Sequence, residues 1–210
     1  VNLLLAFKEN DFKKLINISI PETESSFNRI NTNGTNLKQF FIAVFELYNT
    51  KNYSEAIKIL KLLLTNETKS IRFAYHLFKA ETLEAFNSND KLQLNIIKQE
   101  WENFIKDLSI EEKKELAGYS ESIGTINIYH YASSKDSIKF DQVISTLTPK
   151  DLYYDSFIEI IYNYYIKRGL HIVAFDYLIK AQHYYLKNET KLPSIIEELK
   201  RQHFDEEHLN

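Results

Sequence analysis

Apolar residues recur at intervals of three and four along almost the whole chain. That spacing lines one face of an α-helix, and it predicts helices over residues 2–9, 11–18, 37–50, 53–65, 69–87, 90–107, 110–131, 135–147, 150–168, 170–187 and 194–203. The fold class expected is all-α, with about ten or eleven helices. Start signals agree with the pattern. Ser109-Ile110-Glu111-Glu112 reads as a capping box, Thr148-Pro149-Lys150-Asp151 puts a proline in a first turn, and Ser194-Ile195-Ile196-Glu197 follows Pro193 in the same style. Asn52-Tyr53-Ser54-Glu55 and Ser133-Ser134-Lys135-Asp136 are weaker versions. In each case a side-chain oxygen stands where an orphan backbone amide needs an acceptor.

Two stretches fit less well. Residues 20–36 are rich in serine, threonine and asparagine and form the longest break, with room for one helical turn near Glu22 to Ile30. Residues 122–129 carry β-branched side chains and Gly124, which favour a strand or a bent helix. The helical periodicity on both sides places that segment in a helix.

One spacing occurs twice, 118 residues apart. Tyr53, Ala56, Leu60 and Leu63 share one helix face, as do His171, Ala174, Leu178 and Ala181. Alanine is the informative position, because two helices approach to about 8 Å only where a small side chain sits at the contact. Before the second copy stands Lys167-Arg168-Gly169, with a glycine able to take the left-handed conformation that ends a helix. The first copy has Lys51 there, a poor left-handed residue, so its turn is expected to close differently.

These residues resemble the tetratricopeptide (TPR) repeat, a hairpin of two helices stacked into a superhelix. Tyr53, Ala56 and Leu60 carry the likeness in one unit, and Gly169, His171, Ala174, Leu178 and Ala181 in the other. Phe40, Ala43, Val44 and Leu47 fit the preceding helix, whereas Tyr162, among Ile158, Ile161 and Tyr165, occupies a place the family keeps small. Phe12 and Leu15 look like a truncated unit; Leu94, Ile97, Trp101 and Phe104 keep the spacing with isoleucine at the small position; Phe140, Val143 and Leu147 are fainter. Opening positions Phe12, Tyr53, Leu94, Phe140 and His171 are 41, 41, 46 and 31 residues apart, against a family period of about 34. The resemblance implies stacked antiparallel hairpins, a degenerate TPR-like α-solenoid spanning 1–210 as a single domain. It also implies a concave face lined by Lys38, Phe41, Phe45, Tyr48 and Asn49 in one hairpin and by Ser156, Glu159, Asn163, Ile166 and Lys167 in another. The alternative for Phe41 and Phe45 is packing against a neighbouring hairpin.

Composition narrows the chemistry. Glycine occurs four times and proline three, too few for a turn-rich sheet fold or a phosphate-cradling loop, and no G-x-G-x-x-G or G-K-[ST] is present. The absence of cysteine removes disulfides, thiolate metal sites and cysteine nucleophiles together. Net charge is −3, and the arginines are only Arg29, Arg72, Arg168 and Arg201, so the basic patch of a nucleic-acid binder is missing. No apolar run reaches the ~18 residues of a membrane span, and the opening six residues are too short for a signal peptide. A cytoplasmic location is the expectation. Methionine is absent, even at position 1, which reads as a processed chain or a segment of a longer protein.

Side chains able to do chemistry are scattered. No histidine stands in H-x-x-x-H or H-E-x-x-H; His203 and His208 flank acids in what reads as a frayed, solvated tail. Glu111-Glu112 and Glu197-Glu198 lie in first helical turns, where the helix dipole accounts for them. Sequons at Asn17, Asn33, Asn52, Asn66 and Asn188 are ordinary for an asparagine-rich chain. Eight of the fourteen tyrosines fall between Tyr153 and Tyr185; they are expected either to place rings at an interface or to pad the core. No residue is assigned as acid, base or nucleophile, and no metal or cofactor is expected. The expected function is a non-enzymatic module that binds a protein or peptide; the alternative is a peptide-sensing domain of a larger signalling or transcriptional regulator. An all-α enzyme and an RNA-binding repeat are weaker readings.

Overall fold

The computed structural model describes residues 16–18, 24–27, 30–67, 70–117, 122–134, 136–153, 155–188, 192 and 194–207. They are mainly helical and group into two compact units, Val1–Tyr119 and Ser120–Asn210. The expected helices at 2–9 and most of 11–18, with Phe12 and Leu15, lie outside the described residues.

The first unit opens with a small hairpin rather than the expected helical turn. Strand β1 (Glu24–Phe27) pairs antiparallel with β2 (Ile30–Asn33), with Glu24 opposite Asn33 and Phe27 opposite Ile30. Serine, threonine and asparagine are poor helix formers that bond their own backbone, so this break extends instead of coiling. Helix α1 (Gly34–Phe45) follows and continues into a π-helical turn, Glu46–Thr50. Next come α2 (Tyr53–Asn66), α3 (Ile71–Asn87), α4 (Lys91–Asp107) and α5 (Ile110–Ala117). Helices α1, α2 and α3 pack on one another around Phe40, Ala43, Leu47, Ala56, Leu60, Leu63 and Phe73. Burying each of the phenylalanine and leucine side chains stabilises by about 1.5–3 kcal/mol.

The second unit holds α6 (Ser122–Ser133), α7 (Ser137–Thr146), the single turn α8 (Pro149–Leu152), α9 (Asp155–Ile166), α10 (His171–Lys187) and α11 (Ser194–Glu207). Residues 122–133 are helical despite their β-branched content. Gly124 admits Leu147 of the next segment: a Cβ there would meet Leu147 Cδ2 at 2.7 Å. The expected helix 150–168 is divided between α8 and α9, and the Tyr153 carbonyl between them accepts from the Tyr185 hydroxyl at 2.7 Å. The tail is helical rather than frayed as far as Glu207, and His208 lies outside the described residues. Helix α11 runs to Glu207, and His203 within it is buried.

Caps follow the sequence in part. Ser109 N donates to Glu112 Oε2 at 2.8 Å and Glu112 N donates to Ser109 Oγ at 3.2 Å, the reciprocal pair of a capping box. Asp136, not Ser133, caps α7 by accepting from Lys139 N at 3.1 Å. Asn52 makes no side-chain cap bond to α2.

Three helix pairs share one turn design. A left-handed residue stands two positions before the second helix: Lys51 (φ 57°), Asn89 (φ 56°) and Gly169 (φ 70°). Behind it, a backbone amide closes onto a carbonyl of the first helix: Asp90 N to Ala85 O at 2.8 Å, Leu170 N to Tyr165 O at 2.9 Å and Asn52 N to Glu46 O at 2.9 Å. The first two span five residues and the last spans six, the additional one lying in the π-helical turn. Lys51 therefore does take the left-handed conformation, contrary to expectation. The extra residue and two bonds from Thr50 Oγ1, to Glu46 O at 2.9 Å and Glu46 Oε2 at 2.5 Å, hold it there. Counted from these turns, Leu94 rather than Ile97 of α4 stands where Ala56 and Ala174 stand, and all three are buried.

Candidate interaction surfaces

In the first unit, α1 ends in the π-helical turn because Glu46 turns inward, where Thr50 satisfies it, while Tyr48, Asn49 and Thr50 come outward. π-Helical turns and non-glycine left-handed residues concentrate at functional positions. Of the five residues expected to line a face here, Tyr48 and Asn49 are exposed and Lys38 is half-buried. Phe41 and Phe45 are corrected: both are buried in the core cluster of the unit. The outward side of α1 passes through Thr35, Lys38 and Gln39 instead, and the polar character of these residues is the signal that marks it.

Beneath Tyr48 lies a polar pair that sequence reasoning missed. Lys79 of α3 is only 1% exposed, and its Nζ sits 4.6 Å from the centre of the Tyr48 ring, a cation–π contact. His76, one turn earlier, packs edge-on against Phe40, Tyr75 and Tyr48, with ring centres 5.0, 5.1 and 6.2 Å apart. Its Nδ1–H donates to the Arg72 carbonyl at 2.8 Å. Burial, reinforced by Lys79, lowers its pKa to about 3, so the imidazole is neutral at ordinary pH. No spacing motif announces such a pair, because only the surrounding aromatic rings make these positions interior.

In the second unit, Glu159, Asn163 and Lys167 are exposed and follow one another at steps of four along α9 and its end. Ile166 is half-buried, and the side chain of Ser156 lies outside the described residues. The opposite side of α9 is aromatic and closed. Tyr162, Tyr164 and Tyr165 are buried, and Tyr153, Tyr177, Tyr184 and Tyr185 are half-buried, so these seven rings lie largely toward the interior, while Tyr154 lies outside the described residues. The hydroxyls find partners: Tyr165 donates to Asp141 Oδ1 at 2.7 Å, Arg168 Nη1 donates to Tyr164 at 2.8 Å, and Tyr162 meets His203 Nδ1 at 3.3 Å. Burial first, then the bond to Asp141, pushes the Tyr165 hydroxyl well above the ordinary tyrosine range. His203 stacks on Phe175, ring centres 4.6 Å apart.

No family model, curated protein or solved structure matches this chain. Among the described residues, no group of three His, Cys, Asp or Glu side chains could hold a metal ion, and no helix is long and apolar enough to cross a membrane. What the surfaces offer is a tyrosine with amide and hydroxyl neighbours at one helix end, and a carboxylate, an amide and an ammonium in line along another. Such groups can hydrogen-bond an extended backbone and pair with its charges.

Proposed function

We propose that this chain is a non-enzymatic interaction module, built from degenerate TPR-like hairpins, that binds a protein or peptide partner. The observation that carries the reading is the exposure of Tyr48, Asn49, Asn163 and Lys167 at corresponding ends of α1 and α9. Each lies in the first helix of a hairpin or in the turn that ends it, the part from which TPR-like repeats build their binding surface. The left-handed turn shared by three helix pairs supports the repeat design. Tyrosine suits such a surface, because it offers rigid contact area and a hydroxyl at low entropic cost.

A random peptide library panned on the full chain tests this. Selected peptides should lose at least tenfold in affinity, by calorimetry, to Tyr48→Ala with Asn49→Ala or to Asn163→Ala with Lys167→Glu, at unchanged helix content. No enrichment, or binders indifferent to both variants, would overturn the reading.

A further inference from the structure

Helix α10 carries a line of exposed apolar side chains. Ile172 is 86% exposed, Ile179 41% and Leu186 64%. They stand seven residues apart, so they follow one stripe down the helix, away from the Ala174, Leu178 and Ala181 face that packs inward. Isolated apolar residues on a surface need no explanation, but three in a single heptad line do.

The stripe is symmetric about Ile179, with Ile172 and Leu186 at equal distances on either side. A second copy of α10 laid antiparallel, with the two-fold axis at Ile179, therefore sets Ile179 against itself. Each Ile172 then meets the other copy's Leu186, as a two-fold contact requires. Polar groups beside the stripe match the same register. Asp176 and His183 are exposed on one flank, on opposite sides of the midpoint. In the antiparallel arrangement each carboxylate comes beside the other copy's imidazole, and this pairing occurs twice. Asp176 Oδ2 is held by Lys180 Nζ at 2.6 Å, which leaves Oδ1 to accept from that imidazole. A parallel two-fold pair would instead put the two copies of Asp176 on opposite flanks, away from the other copy's His183.

We propose that this chain self-associates as a two-fold dimer through α10, antiparallel and centred on Ile179, with Asp176 and His183 fixing the register. This surface is separate from Tyr48, Asn49 and the polar line of α9, so peptide binding by a monomeric variant distinguishes failure of the two readings.

Sedimentation equilibrium on the full chain should show a reversible dimer, and Ile179→Asp should weaken it at least tenfold without loss of helix by circular dichroism. The chain has no cysteine, so single cysteines report the register cleanly. Ile179→Cys should form a disulfide-linked dimer on mild oxidation. Ile172→Cys alone should not, because its copies would lie about 21 Å apart, at 1.5 Å per residue. Mixed with Leu186→Cys, it should give the heterodimer. A monomer at every concentration, a dimer indifferent to Ile179→Asp, or self-linking of Ile172→Cys would overturn the proposal. So would a monomer in which Ile179→Cys resists alkylation, since the stripe would then be covered by its own chain.

Discussion

Ala56 and Ala174 leave no surface exposed, and each sits where a second helix begins to pass the first. A larger side chain there has nowhere to go. Ala174→Leu should cost about 1–3 kcal/mol in urea unfolding, the usual penalty for overpacking. These alanines are legible in the sequence because a small residue at a fixed place in a repeated spacing has one economical explanation. Lys51 is not legible. Its left-handed backbone depends on a residue inserted in the preceding turn, which no local preference announces. Lys51→Gly should raise stability by roughly 0.5–1 kcal/mol, whereas Gly169→Ala should lower it by about 1 kcal/mol, both read from urea midpoints. His76 and Lys79 were equally hidden, since their burial comes from rings supplied by other helices. His76 gives a pH signature. Its folded pKa of about 3 lies below the unfolded value near 6.5, so the unfolded chain binds the extra proton between them. Its contribution is complete above pH 6.5 and is lost as pH falls toward 3. Urea titrations at pH 7 and pH 5 should show stability falling by up to roughly 1.4 kcal/mol per pH unit, and His76→Phe should flatten that slope.

Elements were read more surely than residues. Periodicity locates the helices because burying one face decides where a helix forms, and caps refine the ends. The reciprocal bonds of Ser109 and Glu112 are the clearest case. Ser109→Ala should cost about 1 kcal/mol in global unfolding and speed amide exchange in the first turn of α5, leaving α2 and α10 unchanged. Interruptions were missed where a tertiary contact accompanies them, as at Tyr153, whose carbonyl accepts from a phenol of α10. The hairpin of β1 and β2 was missed because neither strand carries a period-two pattern long enough to outweigh a generic polar break. On α9 the polar side could be read from Glu159, Asn163 and Lys167. On α1 the same offset led to Phe41 and Phe45, which the core takes.

At the scale of the molecule, each unit has its own buried residues. Leu63→Ala should cost about 2–5 kcal/mol through the cavity it leaves. Hydrogen exchange should then show protection falling across α1 to α4 and persisting across α9 and α10. The division was not legible in advance, because the helical spacing continues on both sides of it. It has an optical consequence. The lone indole, Trp101, is enclosed by Phe78 and Phe104 in the first half, while ten of the fourteen phenols lie in the second. Selective excitation of the indole therefore follows the melting of one half, and near-ultraviolet ellipticity from the phenols is weighted toward the other. The unmodified chain thus carries a built-in pair of spectroscopic reporters.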